Sequence, residues 1–284
     1  MTILLAAVLH AVLATPAAPL PEPCAALTSG ERTRALRLMD SLFLYECCDD
    51  TIVGCLRGPA PCPLAVRLAA NVCRRVAAGH EDDRIRRAIS RRARSVLGGG
   101  EEAIIDLAGA EPAGDASAPV TLVVYACPRC PYCARLVPAL HAAVTQGPLA
   151  GKVRMFLRIF PIRGHPGAAE AALRWQAAAT EGRLWPYLLA AYRDFAEPAA
   201  ATSPRWAQAV GLDPRRLEAL AAAEATREAV VASKKEGIRN GVTETPTLFI
   251  NGVRYVGELD LEEVLDVLEE AAERADSRPA PPRS

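Results

Sequence analysis

Residues 120–140 read VTLVVYACPRCPYCARLVPAL, and they say more about this chain than any other stretch. The β-branched, apolar run over 120–125 is typical of a buried strand. Three cysteines follow it, and the apolar spacing after the last cysteine is helical. The start of a helix has unpaired N–H groups and partial positive charge. A cysteine placed there has a pKa of about 3.5–7.5, compared with about 8.5 for a free thiol, so the pattern predicts a reactive thiolate.

A second element of the same chemistry lies far downstream. Thr245-Pro246-Thr247 precedes the short apolar run 248–250. Asn251-Gly252, the strongest short signal for a hairpin turn, follows before a further strand-like run at 253–256. Two cysteines at a helix start, opposed by a Thr-Pro sequence, are the parts of a thiol–disulfide exchange site.

The N-terminal part of the chain is predicted to be exported and helical. Residues 1–18 are interpreted as a signal peptide, because an apolar core over 3–13 is followed by small residues and proline, although Lys and Arg are absent before the core. That core is shorter than the roughly 20 residues that span a bilayer, and we predict no stable membrane span. Residues 24–97 show helical apolar spacing and contain six of the cysteines, so we predict a small all-α, cysteine-rich domain.

The rest of the chain changes to an α/β pattern. We predict an α/β domain over 101–274, reached through a linker at 98–118 that includes an edge strand at 103–107. A helical insert is predicted for about 165–236, where the sequence is rich in alanine and has no strand pattern. The final residues, 275–284, are predicted to be a disordered tail.

The amino-acid composition limits the classes of partner and the cellular compartment that we expect for this protein. Lys and Arg together number 33, as do Asp and Glu, so the formal charge is zero and we predict no nucleic-acid partner. The chain has nine cysteines, and so many cysteines form lasting disulfides mainly in oxidising compartments. We therefore expect a periplasmic or secreted protein.

The part of the chain from 101 to 274 resembles the DsbA-like branch of the thioredoxin superfamily. The motifs that support the resemblance are, in order, Ala118-Pro119-Val120, Cys130-Pro131-Tyr132-Cys133, Phe160-Pro161, His165-Pro166 and the stretch 241–252. The resemblance implies a thioredoxin fold interrupted by a helical domain and an enzyme without a cofactor. Its implied partners are cysteine-containing polypeptide substrates and a redox protein that reoxidises or reduces the active site.

The resemblance also implies roles for individual residues. Cys130 would be the exposed nucleophile, and Cys133 the more buried resolving thiol. Pro246 would follow a cis peptide bond, and the Thr245 backbone would bond a bound polypeptide. Pro131 and Tyr132, between the two cysteines, would complete the substrate-binding residues.

Cys127 departs from the family pattern and creates a second, overlapping pair with Cys130. We predict that Cys130 and Cys133 are the working pair, because the intervening Pro-Tyr and the distance from the strand match the family. A structural disulfide and metal binding are the alternatives for such a run. A bacterial ferredoxin pattern, however, needs a cysteine at position 137, where the chain has Val137. We therefore predict no metal, and we interpret His165 as local structure.

The N-terminal segment resembles, more distantly, the small helical domain of CcmH-type cytochrome c biogenesis proteins. It lacks that family's Arg-Cys-x-x-Cys pair, so no functional residue is assigned from it. Six cysteines can form three disulfides in 15 ways, and we predict structural disulfides among them. The candidates are Cys24, Cys47, Cys48, Cys55, Cys62 and Cys73.

Three functions remain open from sequence. The first is an exported thiol–disulfide oxidoreductase that forms or exchanges disulfides in envelope proteins through its CPYC site. The second is a disulfide reductase or isomerase linked to cytochrome c maturation. The third is a non-catalytic envelope binding module. The direction of electron flow depends on the reduction potential and the partner, and neither can be inferred from the sequence.

Overall fold

The computed structural model describes residues 20–58, 60–98, 102–197 and 199–277. The chain divides into two compact units, and the division lies between Arg86 and Arg87. The predicted signal peptide, 1–18, lies outside the described residues. No helix in the described part of the chain is long and apolar enough to cross a membrane.

The first unit is helical and small. Its helices are α1 (Glu22–Ala25), α2 (Ser29–Met39), α3 (Ile52–Leu56), α4 (Pro63–Ala77) and the first part of α5 (Asp82–Leu97). Three disulfides cross-link it and pair all six of the cysteines predicted to be structural: Cys24 with Cys73, Cys47 with Cys62, and Cys48 with Cys55. Each disulfide stabilises a small domain by about 2–4 kcal/mol, which offsets the limited apolar surface that so few helices can bury.

The second unit contains a four-stranded sheet in the order β2-β1-β3-β4. Its strands are β1 (Val120–Ala126), β2 (Val153–Ile159), β3 (Thr247–Ile250) and β4 (Val253–Arg254). Strand β1 pairs in parallel with β2 and antiparallel with β3, which forms a hairpin with β4. Asn251 and Gly252 both have positive φ at the hairpin turn. Two-residue turns whose twist matches that of the flanking strands require this at both positions.

Helices cover the sheet and form the insert. Helix α6 (Pro131–Thr145) follows β1, and α12 (Leu261–Ser277) follows the hairpin. The insert consists of α7 (Ala168–Thr180), α8 (Leu184–Arg193), α9 (Ala199–Ala209), α10 (Pro214–Ala222) and α11 (Glu224–Arg239). Its core is aromatic, with Trp175, Tyr187, Tyr192 and Trp206 all buried. The predicted fold class is confirmed: a thioredoxin-like α/β fold with a helical insertion follows a helical, cysteine-rich region.

The predicted edge strand at 103–107 is absent, and the segment is extended without strand pairing. Side chains take over its backbone hydrogen bonds. The Asp106 amide donates to the Glu236 carboxylate at 2.9 Å, and the Asn240 side-chain amide donates to the Ile104 carbonyl at 2.9 Å. The segment's backbone makes one hydrogen bond to the hairpin turn, from the Ala103 amide to the Gly252 carbonyl at 2.9 Å, and this bond does not continue into a strand ladder.

The division between the units lies earlier than the predicted end of the helical domain at residue 97, because the second half of α5 packs within the second unit. Arg92 is fully buried there and forms salt bridges with Asp266 and Glu270 of α12. Helix α12 also continues to Ser277, past the predicted start of the tail at 275. Residues 278–284 lie outside the described part of the chain.

Candidate thiol–disulfide exchange site

The site lies where β1 ends and α6 begins. A turn over Pro128 and Arg129 connects them, closed by a hydrogen bond from the Cys130 amide to the Cys127 carbonyl at 3.2 Å. Cys130 is the N-cap residue of α6, and Pro131 occupies the first helical position. Proline fits this position because a first-turn N–H has no partner within the helix. Cys130 is therefore held at the positive end of the helix.

Sheet topology brings the Thr-Pro sequence to the same place. The Thr245–Pro246 peptide bond is cis, as the resemblance implied. The Cys130 sulfur lies 3.1 Å from the Thr245 carbonyl oxygen, to which the protonated form of the thiol donates a hydrogen bond. One implied property is wrong: Cys130 is only 2% exposed, because the Thr245–Pro246 segment lies against it. Cys133, as implied, is more deeply buried.

The two thiols differ strongly in acidity. The pKa of Cys130 is lowered to about 5, chiefly because the Cys133 thiol donates a hydrogen bond to its sulfur, and the backbone amides of Cys133 and Tyr132 add to this. Burial raises the pKa of Cys133 far above its ordinary value, and the neighbouring Cys130 sulfur raises it further. The pair therefore keeps one thiolate on Cys130 and one proton on Cys133 at neutral pH.

A groove adjoins the pair and includes two more of the predicted substrate-binding residues. Tyr132 is 63% exposed, and the Arg135 guanidinium lies 5.2 Å from the centre of its ring. Pro246 lines the same groove. The remaining lining residues are Leu136, Ala139, Leu259, Asp260 and Leu261. Pro131 is exposed beside Tyr132. An apolar floor with one cation and one anion is suited to an extended peptide.

Cys127, the third cysteine, is fully buried and in contact with a histidine. Its sulfur lies 3.3 Å from His165 Nδ1 and accepts a hydrogen bond from the Ile162 amide at 3.4 Å. Burial raises the pKa of the Cys127 thiol. His165 lies in the loop before α7 rather than at a helix start. The sequence identified both residues but not their contact, since 38 positions separate them.

The turn between Cys127 and Cys130 is fixed by the helical insert. Arg129 donates to the Phe195 carbonyl at 2.9 Å, and its guanidinium lies 4.9 Å from the Phe195 ring centre. The hydroxyl of Tyr192, which is buried, donates to the Cys127 carbonyl at 3.0 Å. Sequence reasoning missed Arg129 and Tyr192 as parts of the site, because nothing in the local pattern relates them. The insert thus holds the main chain of the cysteine turn in place.

Comparison with known proteins relates the second unit to one family. A protein-family model described as thioredoxin matches residues 110–270, more than half of the 284-residue chain. A curated relative, the Na(+)/H(+) antiporter NhaA 3 of Salinispora tropica, is 32% identical over 202 residues, which are 68% of this chain and 30% of that protein. The Na(+)/H(+) antiporter NhaA 1 of Mycolicibacterium gilvum is 28% identical over 159 residues, 55% of this chain and 25% of that protein. The chain spans less than a third of the length of these curated relatives.

Solved structures show the same fold. Oxidised BdbD of Bacillus subtilis superposes with a TM-score of 0.52 at 18% identity, covering 61% of this chain and 97% of that one. The thiol-disulfide exchange protein alpha-DsbA2 of Wolbachia pipientis gives 0.51 at 19% identity, covering 65% of this chain and 94% of that one. At such identities the likeness establishes the fold.

Proposed function

Because this chain belongs to the thioredoxin family, we propose that it is an exported thiol–disulfide oxidoreductase whose catalytic residues are Cys130 and Cys133. The observation that supports this most is the acidity difference between two adjacent thiols, one at the start of α6 with a pKa of about 5 and one buried and protonated. Perturbed pKa values of this kind are typical of reacting groups.

The reaction follows from that difference. A substrate thiolate attacks the Cys130 sulfur of the Cys130–Cys133 disulfide, and Cys133 leaves as a thiolate that takes up a proton. A second substrate thiolate then attacks the substrate sulfur of the mixed disulfide and expels Cys130. The substrate gains a disulfide, the enzyme gains two electrons, and an external acceptor reoxidises it. A thiol of low pKa is the better leaving group, which favours release from Cys130.

Thr245, Pro246, Pro131 and Tyr132 are proposed to bind the polypeptide. The Thr245 carbonyl contacts the Cys130 sulfur, so a chain paired with this backbone would present its cysteine to the nucleophile. The groove between Tyr132 and Pro246 would receive the neighbouring side chains. Envelope proteins are the proposed substrates, because the disulfide-paired first unit itself favours an oxidising compartment.

Substituting each cysteine tests the catalytic assignment. Cys130→Ala is expected to abolish disulfide transfer to a reduced model protein, because no other sulfur contacts the Thr245 carbonyl in the described site. Ser90→Ala, on the exposed face of α5, is the control and should keep wild-type activity. Circular dichroism would check that both variants fold. Full activity of Cys130→Ala would overturn the assignment and favour the binding-module alternative.

The reduction potential tests the direction of electron flow. Stabilising the Cys130 thiolate stabilises the reduced enzyme, which makes the disulfide a stronger oxidant. We therefore expect a potential above about −200 mV when the enzyme is equilibrated with glutathione, as for proteins that donate disulfides. A value near that of thioredoxin, about −270 mV, would instead support the reductase alternative, including a link to cytochrome c maturation.

A further inference from the structure

We propose that Cys127 is a third redox cysteine, which attacks the Cys130 sulfur and forms a second intramolecular disulfide, Cys127–Cys130. The inference rests on the proposed function in one respect, that Cys130 is the sulfur that forms mixed disulfides. It extends that function with an additional resolving thiol, on the opposite side of Cys130 from Cys133 in sequence.

Backbone geometry permits this pairing. Cys127 and Cys130 are the first and fourth residues of a β-turn closed by a hydrogen bond of 3.2 Å. Such a turn brings its outer Cα atoms to less than about 7 Å. Disulfides join Cα atoms about 4.4–6.8 Å apart, so a turn of this size is compatible with a bond between its first and fourth residues.

The surroundings of Cys127 supply what a buried thiol needs to react. His165 Nδ1 lies 3.3 Å from its sulfur, within reach for proton transfer, and the Ile162 amide donates to the same atom. The ammonium of Lys234 donates to the neighbouring Pro161 carbonyl at 2.6 Å, and its charge favours the Cys127 thiolate. A cysteine whose only task was packing would need neither a base nor a donor.

Burial limits the partners of this thiol. Cys127 has no exposed surface, whereas Cys130 keeps 2% and lies beside the exposed Tyr132, so we expect a polypeptide cysteine or an external reagent to react at Cys130 first. Cys130 stands at the other end of the turn that Cys127 begins, and the proposed reaction joins the sulfurs of these two residues. Arg129 and Tyr192 hold the turn's backbone, so the reaction requires movement of side chains only.

The chemistry balances without an additional reagent. In a mixed disulfide between Cys130 and a substrate, His165 accepts the Cys127 proton and the resulting thiolate attacks the Cys130 sulfur. The bond to the substrate sulfur breaks, the Cys127–Cys130 bond forms, and the substrate leaves as a thiol with the proton. The substrate is reduced and the enzyme oxidised. Cys127 would thereby release substrates that have stalled on Cys130 without a second cysteine.

The test uses variants in which Cys133 cannot interfere. Reduced Cys133→Ala is treated with one equivalent of dithiobis(nitrobenzoate), which forms a mixed disulfide at Cys130. We expect a second thionitrobenzoate to be released as Cys127 attacks, leaving a protein lighter by two hydrogens. The double variant Cys127→Ala, Cys133→Ala should release one thionitrobenzoate and keep the adduct. Adding His165→Gln to Cys133→Ala should slow the second release by about tenfold or more.

Peptide mapping identifies the bond directly. After remaining thiols are alkylated, trypsin cleaves behind Arg129, between the two cysteines. A Cys127–Cys130 disulfide then joins two peptides, which the double variant cannot show.

If Cys133→Ala keeps its thionitrobenzoate adduct for as long as the double variant does, the proposal is wrong. If Cys133→Ala does not fold, Cys133→Ser serves in its place. Because no protein substrate is used, absent transfer activity in the wild type would overturn the proposed function and leave this result standing.

Discussion

The Cys130 sulfur lies 3.1 Å from the carbonyl oxygen of Thr245, a residue 115 positions away in the chain. The sheet accounts for this contact. Strand β1 pairs antiparallel with β3 so that Tyr125 is opposite Thr247, which places the end of one strand beside the start of the other. Whatever follows β1 must therefore meet whatever precedes β3. The cysteine turn and the Thr-Pro sequence occupy those two positions.

The alkylation rate of Cys130 should follow the ionisation of its thiol. With a pKa of about 5, Cys130 in the reduced protein should react with iodoacetamide at a rate that rises around pH 5 and is level by pH 7. The paired N-terminal cysteines do not react, which simplifies the measurement. In urea the midpoint should return to about 8.5. A native midpoint near 8.5 would contradict the proposed thiolate.

The stability of the reduced protein should depend on pH for the same reason. The pKa of Cys130 is lower in the folded state than in the unfolded state. Its contribution to the free energy of unfolding is therefore fully present above about pH 8.5 and is lost as the pH falls through about 5. The pKa of Cys133 is raised, so its contribution is full at low pH and is lost above about 8.5. The difference in unfolding free energy between reduced and Cys130→Ala protein should therefore rise from pH 4 to 8. A difference that is flat with pH would contradict this sign.

Tyr132 should contribute to substrate binding more than to chemistry. Its ring is exposed over the Arg135 guanidinium at the edge of the groove. Tyr132→Ala should raise the KM for a peptide substrate about fivefold, corresponding to about 1 kcal/mol of lost ring contact, and leave kcat within about twofold. Tyr132→Phe keeps the ring and is the matched control. Equal KM values for the three proteins would exclude this groove as the peptide site.

Local patterns predicted the parts of the fold that depend on local physics. The strand, the cysteine motif and the helix start are consecutive, and the Asn251-Gly252 turn follows from two residues that tolerate positive φ. The absent strand at 103–107 shows the limit. Whether that segment became a strand depended on Glu236 and Asn240, more than 100 positions away, and no local pattern contains them.

The same limit applies to the site. A low pKa for Cys130 was predicted from its position at a helix start, but its chief cause, the hydrogen bond from the Cys133 thiol, was not. The burial of Cys130 was not predictable either, because it depends on how closely the Thr245 segment packs. The contact between Cys127 and His165 joins two loops, and neither loop has a spacing that indicates the other. Disulfide pairing was equally hidden, since spacing disfavours a bond between the adjacent Cys47 and Cys48 but does not choose among the other arrangements of the six cysteines.

Arg92 should be among the most stabilising charged residues of the second unit. It is fully buried on α5 and paired with Asp266 and Glu270 of α12. Arg92→Leu removes the Arg92 guanidinium from the buried carboxylate of Glu270, so we expect a loss of about 3–5 kcal/mol in urea unfolding. The control is Arg91→Ala: its side chain is 41% exposed and pairs with Glu258, so about 1 kcal/mol or less should be lost. Similar losses of unfolding free energy for the two variants would show that burial of the arginine does not determine how much its removal destabilises the protein.

With the active site reduced, the chain should have three titratable thiols, while its other cysteines stay paired. Nine cysteines less the six in disulfides leaves three, namely Cys127, Cys130 and Cys133. A mild thiol reductant should reduce the proposed active site but spare the structural disulfides, whose potentials typically lie below about −300 mV. The protein denatured after such treatment should titrate three thiols per chain, and after full reduction nine.

The mildly reduced protein, which keeps its structural disulfides, should also be more stable than the fully reduced protein. Cys24 and Cys73 are 49 positions apart, so opening their disulfide frees a long loop and should cost the first unit about 2–4 kcal/mol. The double variant Cys24→Ala, Cys73→Ala should show this loss in thermal unfolding, while the alkylation profile of Cys130 stays as in the wild type. Five or more thiols after mild reduction, with folding retained, would mean that an N-terminal pair exchanges electrons. The first unit would then be part of the redox chemistry rather than a cross-linked scaffold.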